Sequence, residues 1–126
     1  MILVDTSVWI ENLRAPNREL QERVEARQVL CHAMVVGELA CGHLPERDRF
    51  LEQLKGLPAL KTLSADDLLA LIERHAWMGK GIGYVDANLL GAVLADGNAT
   101  LWTTDRKLRQ LAEELGIAHV PDSEDG

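Results

Sequence analysis

The chain has 126 residues, of which 47% are hydrophobic and 26% are charged, and its formal net charge is −7. This balance is typical of one soluble globular domain with a substantial core, and it excludes a disordered chain. The acidic charge argues against a broad basic face for nucleic acid, so any contact with phosphate must be local or bridged by metal ions. No apolar stretch is long enough to cross a bilayer, and the N-terminus has neither the basic region nor the cleavage site of a leader, so we expect a cytoplasmic protein.

The first half of the chain alternates strand and helix signals. The apolar run "ILV" at residues 2–4 predicts a strand buried on both faces, and "SVWIENLR" after it has helical spacing. A charged helix, "RELQERVEAR", precedes a second strand, "QVLCHA". The segment "VVGELACG" predicts a short helix ended by Gly42, and "ERDRFLEQLKG" predicts a helix that stops before the extended "LPALKTL".

The second half continues the alternation without an internal repeat. "SADDLLALIERHAWMG" predicts a helix with a capping box formed by Ser64 and Asp67. Its apolar face is predicted to contain Ala65, Leu68, Leu69, Ile72 and Ala76. After the loop "KGIGY" come a nearly all-apolar helix, "VDANLLGAVLADG", a strand, "NATLWTTD", an amphipathic helix, "RKLRQLAEELG", and a final strand, "IAHVP". This order predicts an α/β fold with a parallel sheet and helices on both faces.

Two cysteines, Cys31 and Cys41, are interpreted as reduced core residues, in keeping with a cytoplasmic protein. A zinc site that combined them with His32 and His43 would match no ligand spacing of the structural zinc modules. We therefore favour the core interpretation.

Four carboxylates stand where ligands of a parallel sheet bind, at the carboxyl ends of the strands. Asp5 ends the first strand, Asp105 ends "TLWTTD", and Asp86 opens the buried helix. Each of these three could simply be a helix-start residue, which stabilises a helix by about 1 kcal/mol. Glu38 is different, because it interrupts the apolar helix "VVGELACG".

Four acids on one rim would repel one another unless cations neutralised them. Oxygen ligands of this kind suit Mg²⁺ or Mn²⁺, so we expect the four carboxylates to surround a common metal position. A nucleophilic side chain is not indicated, since the chain has no Ser-His-Asp pattern and its four histidines lie in no recognisable motif.

The glycine-rich stretch "GKGIG" lacks the preceding strand and the following Ser or Thr of a P-loop. We expect a flexible loop that leads into Asp86. Lys80 of this loop could contact a substrate phosphate, as could Arg14, Arg106 or Lys107, although surface cations are usually only solvated.

The blocks "ILVDTSVWI", "VVGELACG", "GYVDANLLGAVL" and "LWTTDRKL" resemble, in order and spacing, the four signature blocks of PIN-domain ribonucleases. The likeness is greatest to the VapC-type toxins of VapBC toxin–antitoxin pairs. It runs from Met1 to about Val120, which predicts a single domain over residues 1–120 and an acidic tail over 121–126. The tail carboxylates are expected to be solvated; they belong to Asp122, Glu124 and Asp125.

The resemblance implies a three-layer α/β/α sandwich around a parallel sheet of about five strands. It implies Mg²⁺- or Mn²⁺-dependent endonucleolytic cleavage of RNA and a VapB-type antitoxin that blocks the site. The catalytic and metal-binding quartet would be Asp5, Glu38, Asp86 and Asp105. It also implies a homodimer, for which Trp9, Leu13 and Trp77 are equally well interpreted as interface or as core residues.

In that family a small polar residue beside the first acid often orients metal or water, which points to Thr6 or Ser7. Asn88 and Thr104 are further candidates, for which a role as helix or turn polar groups is as good. Two alternatives remain open. One is a housekeeping PIN nuclease of RNA maturation without an antitoxin; the other is a non-enzymatic, receiver-like Mg²⁺-binding α/β module, whose acid pair after the first strand is missing here.

Overall fold

Three buried segments pair as parallel strands, named β1 (Ile2–Val4), β2 (Val29–Leu30) and β3 (Thr100–Trp102). The computed structural model describes residues 1–122, and in it the strand order is β2-β1-β3. The central strand is buried along its whole length, which explains its uninterrupted apolar sequence. Its register matches Val4 with Trp102, so the residues that follow β1 and β3 leave the sheet side by side.

Each edge of this sheet is extended by a single parallel bridge. Cys31 is bridged to Ala59, and Leu101 is bridged to Ala118. The extended segment "LPALKTL" and the predicted final strand "IAHVP" therefore lie beside the sheet, but in the described residues only three strands form ladders. Along the chain the five segments are β1, β2, the segment of Ala59, β3 and the segment of Ala118. Numbered 1 to 5 in that sequence, they lie in the spatial order 3-2-1-4-5, one of the two common doubly wound orders. A receiver module has the order 2-1-3-4-5, so the receiver-like alternative is wrong.

Seven helices flank the sheet in the described residues and confirm the predicted α/β fold class. They are α1 (Thr6–Arg14), α2 (Arg18–Glu25), α3 (Ala33–Ala40), α4 (Arg47–Lys55), α5 (Ala65–His75), α6 (Tyr84–Asp96) and α7 (Arg106–Glu114). As predicted, the Ser64 hydroxyl caps α5 by accepting the Asp67 N–H at 3.1 Å. Residues 87–93 of α6 are all buried, as its nearly continuous apolar sequence predicted.

The apolar face predicted for α5 is correct in part. It is confirmed at Leu68, which is buried, and at Ile72, which with Leu71 packs partly against the core. It is wrong at Leu69, which is 55% exposed, and at Ala65, which is also exposed. The face is set by the i, i+3, i+4 spacing of Leu68, Leu71 and Ile72. Ala76 does not belong to this face, because it lies beyond the helix in a left-handed conformation with φ 54°.

The two cysteines differ in their surroundings. Cys31 is buried, as predicted, whereas Cys41 is exposed at the end of α3, so its assignment to the core is wrong. His32 is fully buried and its Nδ1 accepts the Met34 N–H at 3.0 Å. Because Cys41 and His43 face solvent while Cys31 and His32 do not, the four side chains do not form the alternative zinc site.

The end of the described chain is anchored to α2. Glu19 accepts the backbone N–H of Asp122 at 2.8 Å, and its other oxygen lies 2.9 Å from His119 Nε2. Burial alone would raise the pKa of Glu19, but these bonds and that of Arg23 together hold it below its usual value. Asp122 is therefore attached rather than freely solvated, and Glu124 and Asp125 lie outside the described residues.

The tryptophans considered for a dimer interface are core residues. Trp9 is 6% exposed and packs edge-on against Phe50, and Trp77 is 3% exposed. Leu13 is partly buried. No helix among the described residues combines the length and hydrophobicity that crossing a membrane requires.

Candidate active site

The four acidic residues singled out in the sequence lie on elements that begin at one edge of the sheet. Asp5 directly follows β1 and is the residue before α1, and Asp105 is the residue before α7. Glu38 lies in α3, the helix after β2, and Asp86 is in the first turn of α6. Because all strands are parallel, their carboxyl ends meet at one edge, and this edge carries the acids.

Asp5 is a buried carboxylate, 5% exposed, held by two hydroxyl groups. Its Oδ2 accepts hydrogen bonds from Ser7 Oγ at 2.8 Å and from Thr103 Oγ1 at 2.7 Å. The side chain makes no capping bond to α1. The interpretation of Asp5 as a simple helix cap is therefore wrong, and its position must serve another purpose.

Thr103 is a site residue that the sequence interpretation missed. Its hydroxyl, 5% exposed, donates to Asp5 and accepts the backbone N–H of Asp105 at 3.0 Å. One hydroxyl thus connects two of the four acids. Ser7 Oγ similarly accepts the N–H of Thr104 at 3.1 Å. The available signal was a threonine two residues before an acid, a spacing at which Thr side chains form local turns.

Asp105 and Asp86 do act at helix starts, each with one oxygen. Asp105 Oδ1 accepts the Leu108 N–H at 2.9 Å, and Asp86 Oδ2 accepts the Gly83 N–H at 3.3 Å. Glu38 faces solvent, and its Oε1 accepts the Thr6 hydroxyl at 2.8 Å, which links α1 to α3.

A common feature unites the four carboxylates. Each has one oxygen fixed by a hydrogen bond, while the other takes part in no hydrogen bond or ion pair within residues 1–122. The second oxygens are Asp5 Oδ1, Glu38 Oε2, Asp86 Oδ1 and Asp105 Oδ2. Hydrogen bonds to one oxygen orient a carboxylate for ligation through the other, as in protein metal sites.

The acids also interact electrostatically. Burial raises the pKa of the Asp86 carboxyl above its ordinary value, and the Gly83 N–H opposes this rise. The negative charges of Asp5, Asp105 and Glu38 each raise the pKa of Asp86 further. Asp86 is therefore repelled by three other carboxylates. Within residues 1–122 no basic side chain forms an ion pair with any of the four acids.

The donor set fits a hard divalent cation in its chemistry. All the available ligand atoms are carboxylate oxygens, which Mg²⁺ and Mn²⁺ prefer. As placed, however, no group of three or more Asp, Glu, His or Cys side chains among the described residues is already arranged to hold an ion. The common metal position thus stays a prediction, supported by oxygen chemistry and mutual repulsion rather than by a closed ligand shell.

The supporting candidates have identifiable contacts. The hydroxyls of Thr6 and Ser7 bind Glu38 and Asp5, so both orient carboxylates. The Asn88 amide is buried and donates to the Tyr84 carbonyl at 2.9 Å, one turn earlier in α6. Thr104 is exposed, and in the described residues only its backbone reaches the site.

We expect the variant Asp86→Asn to melt at the same temperature as the parent chain or higher in metal-free buffer near neutral pH. The substitution removes one of four repelling charges, while the Asn carbonyl can still accept the Gly83 N–H. Thermal unfolding followed by circular dichroism tests this. A large drop in melting temperature would mean that Asp86 serves mainly as a structural cap.

The sign of the pH dependence provides a second check. A carboxyl whose pKa rises on folding favours the folded state below its unfolded pKa of about 3.9, and this contribution is lost as pH rises through the folded value. Asn does not titrate, so the advantage of Asp86→Asn should vanish in acid and appear as pH rises. Asp66→Asn, in the exposed first turn of α5, is the matched control and should show no such gain.

Comparison with known proteins identifies similar sequences and folds. The PIN domain family model matches residues 2–114. Ribonuclease VapC32 of Mycobacterium tuberculosis, in strains CDC 1551 / Oshkosh and ATCC 25618 / H37Rv, is 45% identical over 118 residues, which cover 94% of this chain and 95% of that protein.

Similar folds occur in three solved structures. The DNA-bound VapBC structure from Salmonella typhimurium matches with a TM-score of 0.67 at 17% identity, and the match covers 95% of this chain and 96% of that chain. PAE2754 from Pyrobaculum aerophilum has a TM-score of 0.63 at 17% identity, covering 90% of each chain. FitAB bound to an IR36 DNA fragment matches with a TM-score of 0.62 at 19% identity, and the match covers 96% of this chain and 98% of that chain.

Proposed function

The chain belongs to the PIN-domain family and is similar to its VapC-type members, and from this premise we propose that it is a metal-dependent endoribonuclease, the toxin of a VapBC-type pair. The observation that carries the proposal is the convergence of Asp5, Glu38, Asp86 and Asp105 at one edge of the sheet, each with one carboxylate oxygen fixed and one available. The 45% identity to a ribonuclease supports RNA as the substrate.

The four carboxylates would hold the metal through their second oxygens. When bound there, Mg²⁺ or Mn²⁺ would neutralise phosphate charge and make a bound water more acidic. The side chains around the acids contribute orientation. Hydrogen bonds from Ser7 and Thr103 hold the Asp5 side chain, and one from Thr6 holds Glu38. Both carboxylates are therefore already oriented before a metal binds.

A VapB-type antitoxin is the proposed partner. Two of the similar structures are named as VapBC and FitAB assemblies, which supports a toxin that works with a second protein. An anionic rim of this kind is best blocked by a cation, and Arg suits the task because its planar fork engages carboxylates and never deprotonates. We also propose a cytoplasmic location and a homodimer, whose interface excludes the buried Trp9 and Trp77.

Incubation of the purified chain with total cellular RNA tests the nuclease. We expect cleavage with Mg²⁺ or Mn²⁺ and none after addition of a chelator, with activity restored when the ion is returned in excess. Cleavage that persists in chelator would contradict metal dependence. The alternative of a housekeeping PIN nuclease predicts no antitoxin reading frame immediately upstream, which inspection of the neighbouring DNA decides.

A further inference from the structure

A small cavity of about 90 Å³ lies between the loop that leads into α6 and the outer side of α7. It is lined by Lys80, Lys107, Gln110, Leu111 and Glu114. Two of the four lysines of the chain therefore meet at one cavity. We propose that this cavity binds a phosphate group of the RNA strand, at a position flanking the bond that is cleaved; the inference rests on the proposed nuclease function.

The position of Lys107 is set by a close approach to the loop. Gly81 has φ +81°, a left-handed conformation that favours glycine, and a Cβ built on it would lie 2.7 Å from Lys107 Nζ and 2.6 Å from its Cδ. Lys107 lies across the backbone there, and a side chain at position 81 would displace its flexible end. This contact places the ammonium group beside the loop that carries Lys80.

Neither ammonium group is neutralised within the described chain. Lys80 and Lys107 form no ion pair with any described carboxylate. Glu114 also lines the cavity and brings one carboxylate to it, whose Oε1 accepts the Gln110 amide N–H at 3.4 Å. Two like charges at one small cavity repel each other, and an anion between them removes that repulsion. Lys is a common phosphate ligand that acts as a point charge.

The cavity adjoins the elements that carry two of the four acids. The loop of Lys80 continues to Gly83, whose N–H holds Asp86, and Lys107 lies two residues after Asp105 in the first turn of α7. A strand held by its phosphate at this flank is therefore led towards the carboxylates. This local cation pair shows how a chain of net charge −7 can bind RNA without a broad basic face.

The test compares Lys80→Ala/Lys107→Ala with Lys55→Ala/Lys61→Ala, each made in an Asp5→Asn background so that bound RNA stays intact. The second pair is a matched control because it also removes two charges, and both lysines are exposed and form no ion pair within the described chain. Binding of a fluorescent single-stranded RNA oligonucleotide is followed by anisotropy with Mg²⁺ at several NaCl concentrations. We expect about tenfold weaker binding for the double variant and a salt slope lower by about 0.7, the value for the one phosphate that the cavity no longer neutralises.

Lys107→Met separates charge from packing, because Met keeps the aliphatic stem over Gly81. We expect it to melt like the parent chain but to lose RNA affinity, and with Asp5 restored to raise KM without changing kcat. If the parent chain cleaves RNA while both lysine variants bind RNA as tightly as the Lys55→Ala/Lys61→Ala control, this inference is overturned and the nuclease function still stands. No binding or cleavage of any RNA by the parent chain would overturn the proposed function itself.

Inorganic phosphate is the second probe, because a free phosphate ion presents the same oxygens. We expect it to compete with the oligonucleotide only weakly. If it bound the parent chain as tightly as the RNA does, and lost that affinity in the double variant, the cavity would be a site for the free ion and the RNA assignment would be wrong.

Discussion

Replacement of Asp5 by Asn is expected to lower the rate of RNA cleavage by about a thousandfold or more, since loss of a metal ligand removes several kcal/mol of transition-state stabilisation. The fold should be unaffected. The Asn carbonyl can accept the Ser7 and Thr103 hydroxyls that now bind Asp5 Oδ2, which places the amide NH₂ where the available Oδ1 lies. An NH₂ group does not ligate a cation, so the change is confined to the predicted metal position.

Initial rates on one RNA, measured over a range of Mg²⁺ concentrations, check this expectation. Asp66→Asn removes the same charge at the exposed start of α5 and should cleave at the parent rate. Calorimetric titration with Mn²⁺ should show that Asp5→Asn loses Mn²⁺ binding and that Asp66→Asn keeps it. If Asp5→Asn retained a rate within a few-fold of the parent, Asp5 would be excluded as a metal ligand and the quartet would be wrong.

Loss of the same carboxylates is expected to weaken the antitoxin complex. If an antitoxin cation occupies the acidic rim, removing one partner of that buried charge pair should cost about 2 kcal/mol or more of binding free energy. Asp5→Ala should therefore lose cleavage and antitoxin affinity together. The parent complex should be inactive towards RNA, because the cation and the metal compete for the same oxygens.

Asp105 needs two variants, because its carboxylate also caps α7. Asp105→Ala removes the bond to the Leu108 N–H, worth about 1 kcal/mol of stability, whereas Asp105→Asn can keep that bond and lose only the charge. Isothermal titration with the purified antitoxin should show weaker binding for both. Unchanged affinity in the Asp5 and Asp105 variants would mean that the antitoxin inhibits by steric cover alone.

Much of this molecule follows from local pattern. Continuous apolar runs predicted β1 and the buried α6, and the Ser64 signal predicted the start of α5. The position of acids directly after strands predicted that Asp5 and Asp105 would leave the sheet at one edge, since parallel strands share that edge. These features are encoded within a few residues of chain, where periodicity and capping act.

The tertiary structure alone decided which groups meet. The register that pairs Val4 with Trp102 sets Asp5 beside Thr103, so a hydroxyl 98 residues away orients the carboxylate. No local pattern contains that register. The approach of Gly81 to Lys107 likewise brought two lysines to one cavity. Such contacts depend on how distant segments fit together, and their energies arise only when the sheet and helices are assembled.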